Sequence, residues 1–163
     1  MSLTGKVTVS LDLKSVVARD LSTTTDPVIV SMVKTITNGV NTANAATQVY
    51  SDNVAIGTSA TVVTNLKTPL AFSAVGQAMA WTRCILVYIA NKCATSVLTI
   101  GVAGDANWTR IPPTAIPAGG IYLIYAGTAA GFPVDGTNHD LAVVCDGGTG
   151  GTFDIVLAGS PAT

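Results

Sequence analysis

His139 is the only histidine in the chain, so any acid–base or nucleophilic mechanism that uses an imidazole must use this one. It lies in the stretch DGTNHD, beside Asp140 and just before an apolar run. An imidazole paired with a carboxylate is the arrangement that activates a serine in hydrolases. The sequence has no Gly-x-Ser-x-Gly turn to present such a serine. We therefore expect His139 to be a solvent-exposed turn residue, and we predict no catalytic residues and no enzyme.

The same loop offers oxygen ligands for a metal ion. Asp135, Asn138 and Asp140 are spaced as loop residues that could hold calcium. The spacing of an EF-hand is absent, and all nine acidic residues are aspartates. Aspartate in a turn most often accepts hydrogen bonds from its own backbone. We predict no metal site and no cofactor, with calcium as the alternative.

A glycine-rich stretch, DGGTGGT at residues 146–152, has the composition of a phosphate-binding loop. It lacks the following lysine, and it leads into a strand pattern where a phosphate loop leads into a helix. We predict that it is the hairpin loop between strands 141–145 and 153–157.

The three cysteines, Cys84, Cys93 and Cys145, form no Cys-x-x-Cys pair. Cys84 and Cys145 lie inside apolar runs. We expect buried free thiols, as in a protein assembled in a reducing cytoplasm, with a disulfide as the alternative.

The hydrophobic pattern of the chain is typical of β-strands almost throughout. Residues 15–27 appear as a turn, residues 68–80 as an ambiguous connection, and the connectors are rich in glycine, proline, asparagine and aspartate. The pattern predicts an all-β fold, a jelly-roll-like antiparallel β-sandwich of about 8–10 strands. We expect a single domain over 1–163, with 1–27 as an extended N-terminal strand or arm. The predicted strands are 6–13, 28–37, 48–56, 60–66, 82–90, 96–102, 121–125, 141–145 and 153–157.

No residue from Ile111 to Val134 is charged, which raises the question of a membrane segment. Prolines and glycines interrupt this stretch, and its apolar run is far shorter than the roughly 20 residues that a spanning helix needs. We predict instead that Gly119 and Gly120 turn the chain and that residues 121–125 enter as a strand. The N-terminal residues also lack the basic head and unbroken apolar stretch of a signal peptide.

The composition limits the kinds of partner. Charged residues are 10% of the chain, against about 25% in ordinary soluble domains, and the net charge is −1. The eight basic residues are scattered singly, so the sequence predicts no nucleic-acid partner. A net charge near zero promotes association, which indicates a surface partly covered by other subunits.

Trp81 and Trp108 are the two largest apolar side chains. Each is suited to the core of a sandwich, to a subunit interface, or to stacking on a sugar ring. For the sugar-binding alternative, Trp108 would form an exposed platform with Tyr122 or Tyr125.

The order of motifs along most of the chain resembles small structural proteins encoded in the head or tail gene blocks of tailed bacteriophages. The unit PAGGIYLIYAG…GFPVDGTNHDLAVV is the most specific part, although His139 stands where a small or acidic residue is expected. The other matching stretches are VTVSLDL, DLS…TNG, YSDNVAIGTSATVVTNL, ILVYIAN, LTIGVAGDANW and FDIVLAG.

This resemblance implies a jelly-roll capsid decoration (cement) protein, a homotrimer that binds the major capsid protein on the virion surface and has no catalytic residues. Such a protein is made in the cytoplasm of the bacterial host. The alternatives are a host-recognition or glycan-binding module on a fibre or spike, and a tail or connector component.

The resemblance and the alternating pattern together predict the interface. Val7, Val9, Leu11 and Leu13 lie on one face of the first predicted strand, which could add to the edge of a neighbour's sheet. We add Trp108 to this predicted interface. No membrane is expected among the partners.

Overall fold

The computed structural model describes residues 3–19, 22–67, 80–101 and 108–161 of the chain. Within these ranges the chain forms twelve β-strands and no helix, and therefore no helix that could cross a membrane. The strands are β1 (Gly5–Arg19), β2 (Ser22–Asn38), β3 (Ala45–Ala46), β4 (Gln48–Ile56), β5 (Thr61–Asn65), β6 (Trp81–Asn91), β7 (Leu98–Ile100), β8 (Thr114–Ile116), β9 (Ile121–Tyr125), β10 (Phe132–Pro133), β11 (Asp140–Cys145) and β12 (Gly151–Pro161).

Two antiparallel sheets form the body of the protein. One has the order β10-β6-β12-β4, with β9 also paired to β6, and the other has the order β5-β11-β7-β8. Apolar side chains of both sheets interleave in one core, including Val87 and Ile155 from the first sheet and Ile100 and Val143 from the second. The predicted all-β class and the β-sandwich are confirmed, whereas the jelly-roll topology stays a prediction. Three of the four strands with two or three residues, β3, β8 and β10, lie in segments that the sequence pattern assigned to connectors, whereas β7 lies within the predicted strand 96–102.

Strand β6 is the central strand of its sheet, as its continuous apolar sequence predicted. It pairs with β12 along one edge and with β9 and β10 along the other, and most of its side chains are buried. Asn91 at its end is also buried. Its Nδ2 donates to the carbonyl oxygens of Ser96 and Ile116 over 2.8 and 2.9 Å, and its Oδ1 accepts from the Cys93 amide. The Asn91 side chain therefore provides hydrogen-bond partners for backbone groups at the point where β6 leaves the sheet.

The stretch before β9 is the predicted turn. The Gly120 amide donates to the Pro117 carbonyl oxygen over 2.8 Å, and Gly119 has a φ of 71°. That conformation strains any residue with a Cβ, which is why a glycine occupies the position.

The prediction for residues 146–152 is wrong. Strand β11 pairs with β5 and β7, whereas β12 pairs with β4 and β6 in the other sheet. The glycine-rich stretch therefore crosses from one sheet to the other and is not a hairpin loop. Alternation shows which face of a strand is buried, but it does not show which strand is its neighbour.

The prediction for residues 15–27 is also wrong. Residues 15–19 continue β1 and residues 22–27 begin β2, and the two strands pair in register from Gly5 opposite Ile36 to Arg19 opposite Ser22. Threonine is a strong strand former. Strand β2 pairs with β3 only at Thr37 and Asn38, so Pro27 lies in the part of β2 that pairs with β1 alone, where a proline is tolerated. The N-terminal strand is thus one half of a hairpin, not a free arm. The ambiguous segment 68–80 lies outside the described residues except for Ala80.

Candidate functional site

The exposed apolar surface of the protein is concentrated on the β1–β2 hairpin. Nine large hydrophobic side chains are exposed among the described residues, and six of them belong to this hairpin. Soluble monomers rarely gather exposed apolar side chains in one place unless the surface binds something. The six are Val9, Leu11, Ile29, Val30, Met32 and Val33.

The strand register sorts these side chains by face. Residues directly opposite each other in an antiparallel pair point to the same side of the ribbon. Val9 lies opposite Met32 and Leu11 lies opposite Val30, so these four form one continuous apolar surface, here called the hairpin stripe. Their exposed fractions are 39% and 46% for Val9 and Leu11, and 55% and 45% for Val30 and Met32.

The opposite face of the hairpin is mixed in character. Thr8 pairs with Val33, and Ser10 pairs with Ser31. Ile29 and Val33 are apolar and exposed on this side, but hydroxyl-bearing side chains separate them along the ribbon. The stripe is therefore the more uniformly apolar of the two faces.

The base of the hairpin is anchored in a second, smaller hydrophobic cluster. Ile36 of β2 is 4% exposed and packs with Ile85, Leu86 and Ala158 on the outer side of the β6–β12 sheet. Val7 of β1 packs against the same cluster. The stripe thus starts next to a buried core and continues outward from it.

A groove of about 650 Å³ lies between the base of the stripe and strand β9. One wall carries Val7, Val9 and Met32, and the other carries Leu123 and Tyr125. Lys34 is the one charged side chain among the described residues that line it. Strand β9 pairs only with β6 within the described chain, so its outer edge faces this region.

The far wall of the groove is held by hydrogen bonds. The Tyr125 hydroxyl donates to Asn44 Oδ1 over 2.7 Å. Burial also raises the pKa of Tyr125 above its ordinary value. Asn44 belongs to the loop that returns from β2 to the body. The tyrosine therefore joins the edge of β9 to the base of the hairpin.

Arg83 forms hydrogen bonds to the same segment, between β2 and the body of the protein, from the interior. Its side chain is almost fully buried, and Nη1 and Nη2 donate to the carbonyl oxygens of Thr42 (3.2 Å), Ala45 (2.6 Å) and Ala129. Burial lowers the pKa of Arg83 below its usual value, yet a guanidinium remains protonated at neutral pH. The hairpin is thus joined to the sandwich by a charged clamp as well as by apolar packing.

The structure places His139 in a partly buried position, which corrects the expectation of an exposed turn residue. The side chain is 17% exposed. Its Nδ1 lies 3.1 Å from the carbonyl oxygen of Asp135, and its Nε2 lies 3.8 Å from Asp140 Oδ1. The His139 carbonyl oxygen also accepts from the Leu66 amide over 2.8 Å. The ring therefore has a structural role in its loop, and the absence of enzymatic activity stays a prediction.

Of the three residues proposed for calcium, Asp135 and Asn138 use side-chain oxygen atoms in hydrogen bonds, Asn138 Oδ1 accepting from the Thr109 hydroxyl, whereas Asp140 Oδ1 is buried without a hydrogen-bond partner and lies 3.8 Å from His139 Nε2. Asp135 Oδ1 accepts from the amides of Thr137 and Asn138 over 2.9 and 2.8 Å, and also from both of their side chains. These hydrogen bonds lower the pKa of Asp135 to about 2. Among the residues that the structure describes, no three His, Cys, Asp or Glu side chains are grouped so as to hold a metal ion.

The predicted interface residues of β1 differ in their exposure to solvent. Val9 and Leu11 are exposed on the stripe, and Val7 is half-buried at its base. Leu13 lies opposite Val28 in the register, and its side chain is outside the described part. Sequence reasoning did not include Val30 and Met32, although their alternation in β2 was a usable signal.

Trp108 is a core residue, which corrects its assignment to the interface. It is 1% exposed, its Nε1 donates to the Pro133 carbonyl oxygen over 2.7 Å, and its ring meets Phe132 edge-on with centroids 6.0 Å apart. Trp81 is fully buried as well, and its Nε1 donates to Gln48. The sequence around Trp108 has no strand pattern that would predict its burial, because the predicted strand 96–102 ends before this residue.

Comparison with protein-family models, with curated protein sequences and with solved structures finds no match to this chain.

Proposed function

We propose that this protein is a structural component of a bacteriophage virion that binds the outer surface of the capsid and stabilises the shell by bridging major capsid proteins. The observation that carries the proposal is the concentration of exposed apolar side chains on one projecting hairpin. A surface of this kind suits a protein that works inside an assembly, because in a free monomer it would remain in unfavourable contact with water.

The charge of the chain supports the same role. Burying an unpaired charge at an interface is costly, and only 10% of the residues are charged. Each large side chain of the hairpin that becomes fully buried contributes roughly 1.5–3 kcal/mol of hydrophobic stabilisation. A few such contacts at each of many copies would oppose the outward pressure of packaged DNA.

The resemblance of the motif order to phage head and tail proteins supplies the virion location in this proposal. With it come a homotrimeric state, a jelly-roll topology, and synthesis in the cytoplasm of the bacterial host. The proposal includes no cofactor, no nucleic-acid partner and no membrane partner.

The glycan-binding alternative is less well supported. It required an exposed aromatic platform that included Trp108, and this side chain is buried in the core. Tyr122 packs against the core as well. The tail or connector alternative differs from the proposal mainly in copy number.

The test is the ratio of this chain to the major capsid protein in purified particles, measured by quantitative mass spectrometry with isotope-labelled peptides. The proposal expects a number of copies of the same order as the number of capsid subunits. A ratio near that of a vertex or tail component would contradict it. Particles that lack the chain should also release their DNA at a lower temperature than complete particles, and equal release temperatures would contradict the stabilising role.

A further inference from the structure

We infer that the outer edge of strand β9 binds an extended segment of a partner protein, which adds to the sheet as a further strand. The segment lies in the groove between β9 and the base of the hairpin stripe. It carries apolar side chains at alternate positions and one acidic side chain that meets Lys34. This site goes beyond the proposed function and does not depend on the virion location.

Strand β9 has unpaired backbone groups along its outer edge. The Ala126 amide donates to the Ile85 carbonyl oxygen over 2.8 Å, which fixes the positions that are hydrogen-bonded between β9 and β6. These positions alternate in an antiparallel pair, so every second residue of β9 directs its N–H and C=O groups away from β6. The residues with outward backbone groups are Ile121, Leu123 and Tyr125. Within the described chain no strand pairs with β9 on that side, and such a row of groups is a template for another extended chain.

The edge of β9 also lacks the features that normally prevent strand addition, which are charged side chains, prolines and short length. At the opposite edge of the same sheet, β4 carries Asp52 in its middle. At an edge of the other sheet, β8 has only three residues and lies between Pro113 and Pro117. By contrast, the five residues of β9 are all large and uncharged. An edge without these features is suited to pairing with another chain.

The groove selects the side chains of the added strand. Leu123 and Tyr125 form one wall, and Val7, Val9 and Met32 of the hairpin belong to the other. A strand beside β9 directs every second side chain to the same face as Leu123 and Tyr125, and therefore into this groove. The volume of about 650 Å³ is within the range of ligand sites, roughly 300–1,000 Å³. Apolar side chains at alternate positions therefore fit between the two walls.

Lys34 gives the groove its charge preference. It is exposed, and the ion pairs of the described chain involve Lys92 and His139 instead. A carboxylate on the added strand would complement this ammonium group. A second copy of β9 supplies no carboxylate, because Ile121–Tyr125 contains no acidic residue. The charge therefore favours a different chain over edge-to-edge pairing of two copies.

The experiment selects binders from a library of random linear peptides on the immobilised full-length protein, with Leu123→Pro as the counter-selection. Proline removes an N–H that points to the outer edge, and it leaves the hydrogen bonds between β9 and β6 in place. Leu123→Val is the matched control, because valine keeps the N–H and favours a strand. The dissociation constants of the selected peptides are then measured by fluorescence anisotropy.

We expect the selected peptides to alternate apolar residues and to contain Asp or Glu. They should bind the wild type and Leu123→Val with similar Kd values and bind Leu123→Pro at least about tenfold more weakly. Lys34→Gln should weaken binding about threefold, whereas Lys6→Gln, on the other face of the hairpin, should not. The inference is overturned if no peptide is enriched over the counter-selection, or if Leu123→Pro binds as well as Leu123→Val. Equal effects of the two lysine variants would overturn the placement of the acidic residue.

A second measurement uses only the wild-type protein and covers the case in which Leu123→Pro fails to fold. A selected peptide is synthesised with N-methyl groups on alternate residues, in each of the two possible sets. Only one set blocks the N–H groups that face β9, so one peptide should lose binding and the other should keep it. Equal binding of the two methylated peptides would refute strand addition.

Amide hydrogen exchange reports the same edge directly. The Leu123 amide should exchange rapidly in the free protein and slowly in the complex, whereas the Ile124 amide, which faces β6, should be protected in both. Protection of Leu123 in the free protein would overturn the inference, and a wild-type dimer that Leu123→Pro dissociates would assign the edge to a second copy instead. Peptide binding by a protein that is absent from capsids would leave this inference standing while the proposed function failed.

Discussion

Arg83 Nη2 donates to the Ala45 carbonyl oxygen over 2.6 Å, and this bond joins the central strand β6 to the short strand β3 that follows the hairpin. No carboxylate pairs with the guanidinium in the described chain. Its Nη1 and Nη2 donate to the backbone carbonyl oxygens of Thr42, Ala45 and Ala129, and its Nε is buried without a hydrogen-bond partner. Because a buried cation is costly unless it is well hydrogen-bonded, this arrangement makes the loops and the strand depend on one another.

Replacement of Arg83 by methionine should therefore destabilise the protein strongly. Arg83→Met keeps the apolar stem but leaves three carbonyl oxygens without their donor, so we expect a loss of about 3 kcal/mol. Urea denaturation provides the free energy of unfolding. Arg110→Met, at an exposed site, is the control and should change it by less than about 0.5 kcal/mol. Equal losses in the two variants would show that the clamp has no special role.

Asn91 should tolerate no acidic replacement. In Asn91→Asp a carboxylate oxygen replaces the amide nitrogen that donates to Ser96 and Ile116, so like partial charges would face each other in a buried site. We expect a loss of about 3 kcal/mol at neutral pH. The matched control is Asn41→Asp in an exposed turn, where the residue has a φ of 55° that aspartate also accepts. Thermal unfolding of both variants, followed by circular dichroism, distinguishes the two sites.

Gly159 should resist the smallest possible substitution. A Cβ at this position would lie 2.5 Å from Trp81 Cε3 and 2.6 Å from the Arg83 carbonyl oxygen, both of which are fixed in the core. Gly159→Ala should cost about 2 kcal/mol through overpacking. Gly57→Ala is the control, since the nearest atom to its new Cβ would be Ala60 Cβ at 3.7 Å. A Gly159→Ala protein as stable as Gly57→Ala would mean that β12 can shift away from Trp81.

Asp135 should make the stability of the 135–139 loop depend on pH. Its folded-state pKa of about 2 lies below the ordinary value of 3.8, so its contribution is present above that ordinary value and is lost as the pH falls towards 2. Asp135→Ala should lower the Tm at pH 7 and have a smaller effect at pH 2. An NMR titration of the Asp135 carboxyl carbon measures the pKa directly. A midpoint near 4, or equal changes in Tm at both pH values, would contradict the hydrogen-bonded loop.

The three thiols should be unreactive in the folded protein. Cys84, Cys93 and Cys145 are all buried and unpaired, as the sequence predicted for Cys84 and Cys145. Burial raises the pKa of Cys84 to about 12, and the thiolate is the reactive form. We expect a chromogenic disulfide reagent to label no thiol at pH 8 within minutes and all three in denaturant. Rapid labelling of Cys84 without denaturant would show that the β6–β12 region opens locally.

Several elements could be predicted because their signals are local. The predicted strands 48–56 and 121–125 match β4 and β9 to the residue, and the continuous apolar run of β6 indicated a strand covered on both faces. The glycine pair at 119–120 predicted the turn before β9, and Gly119 has a positive φ there. Val9 and Leu11 could be placed on an apolar face because a strand has a fixed period of two.

Other features depended on partners that are distant in sequence. The same alternation is compatible with many pairings, so β11 and β12 were predicted as neighbours although they belong to different sheets. The threonines of residues 22–25 gained a strand partner only when β1 folded against them. Trp108 became a core residue because Phe132 and Pro133 approach it from another part of the chain.

The sequence by itself determined that the chain is all-β, poor in charge, and apolar on one side of its first strand, because composition and periodicity are properties of neighbouring residues. Only the tertiary structure decided that Val30 and Met32 join Val9 and Leu11 in one exposed stripe. It also decided that Arg83 clamps the loop behind them. These relationships depend on strand register and burial, which arise when distant segments compete to remove apolar surface from water.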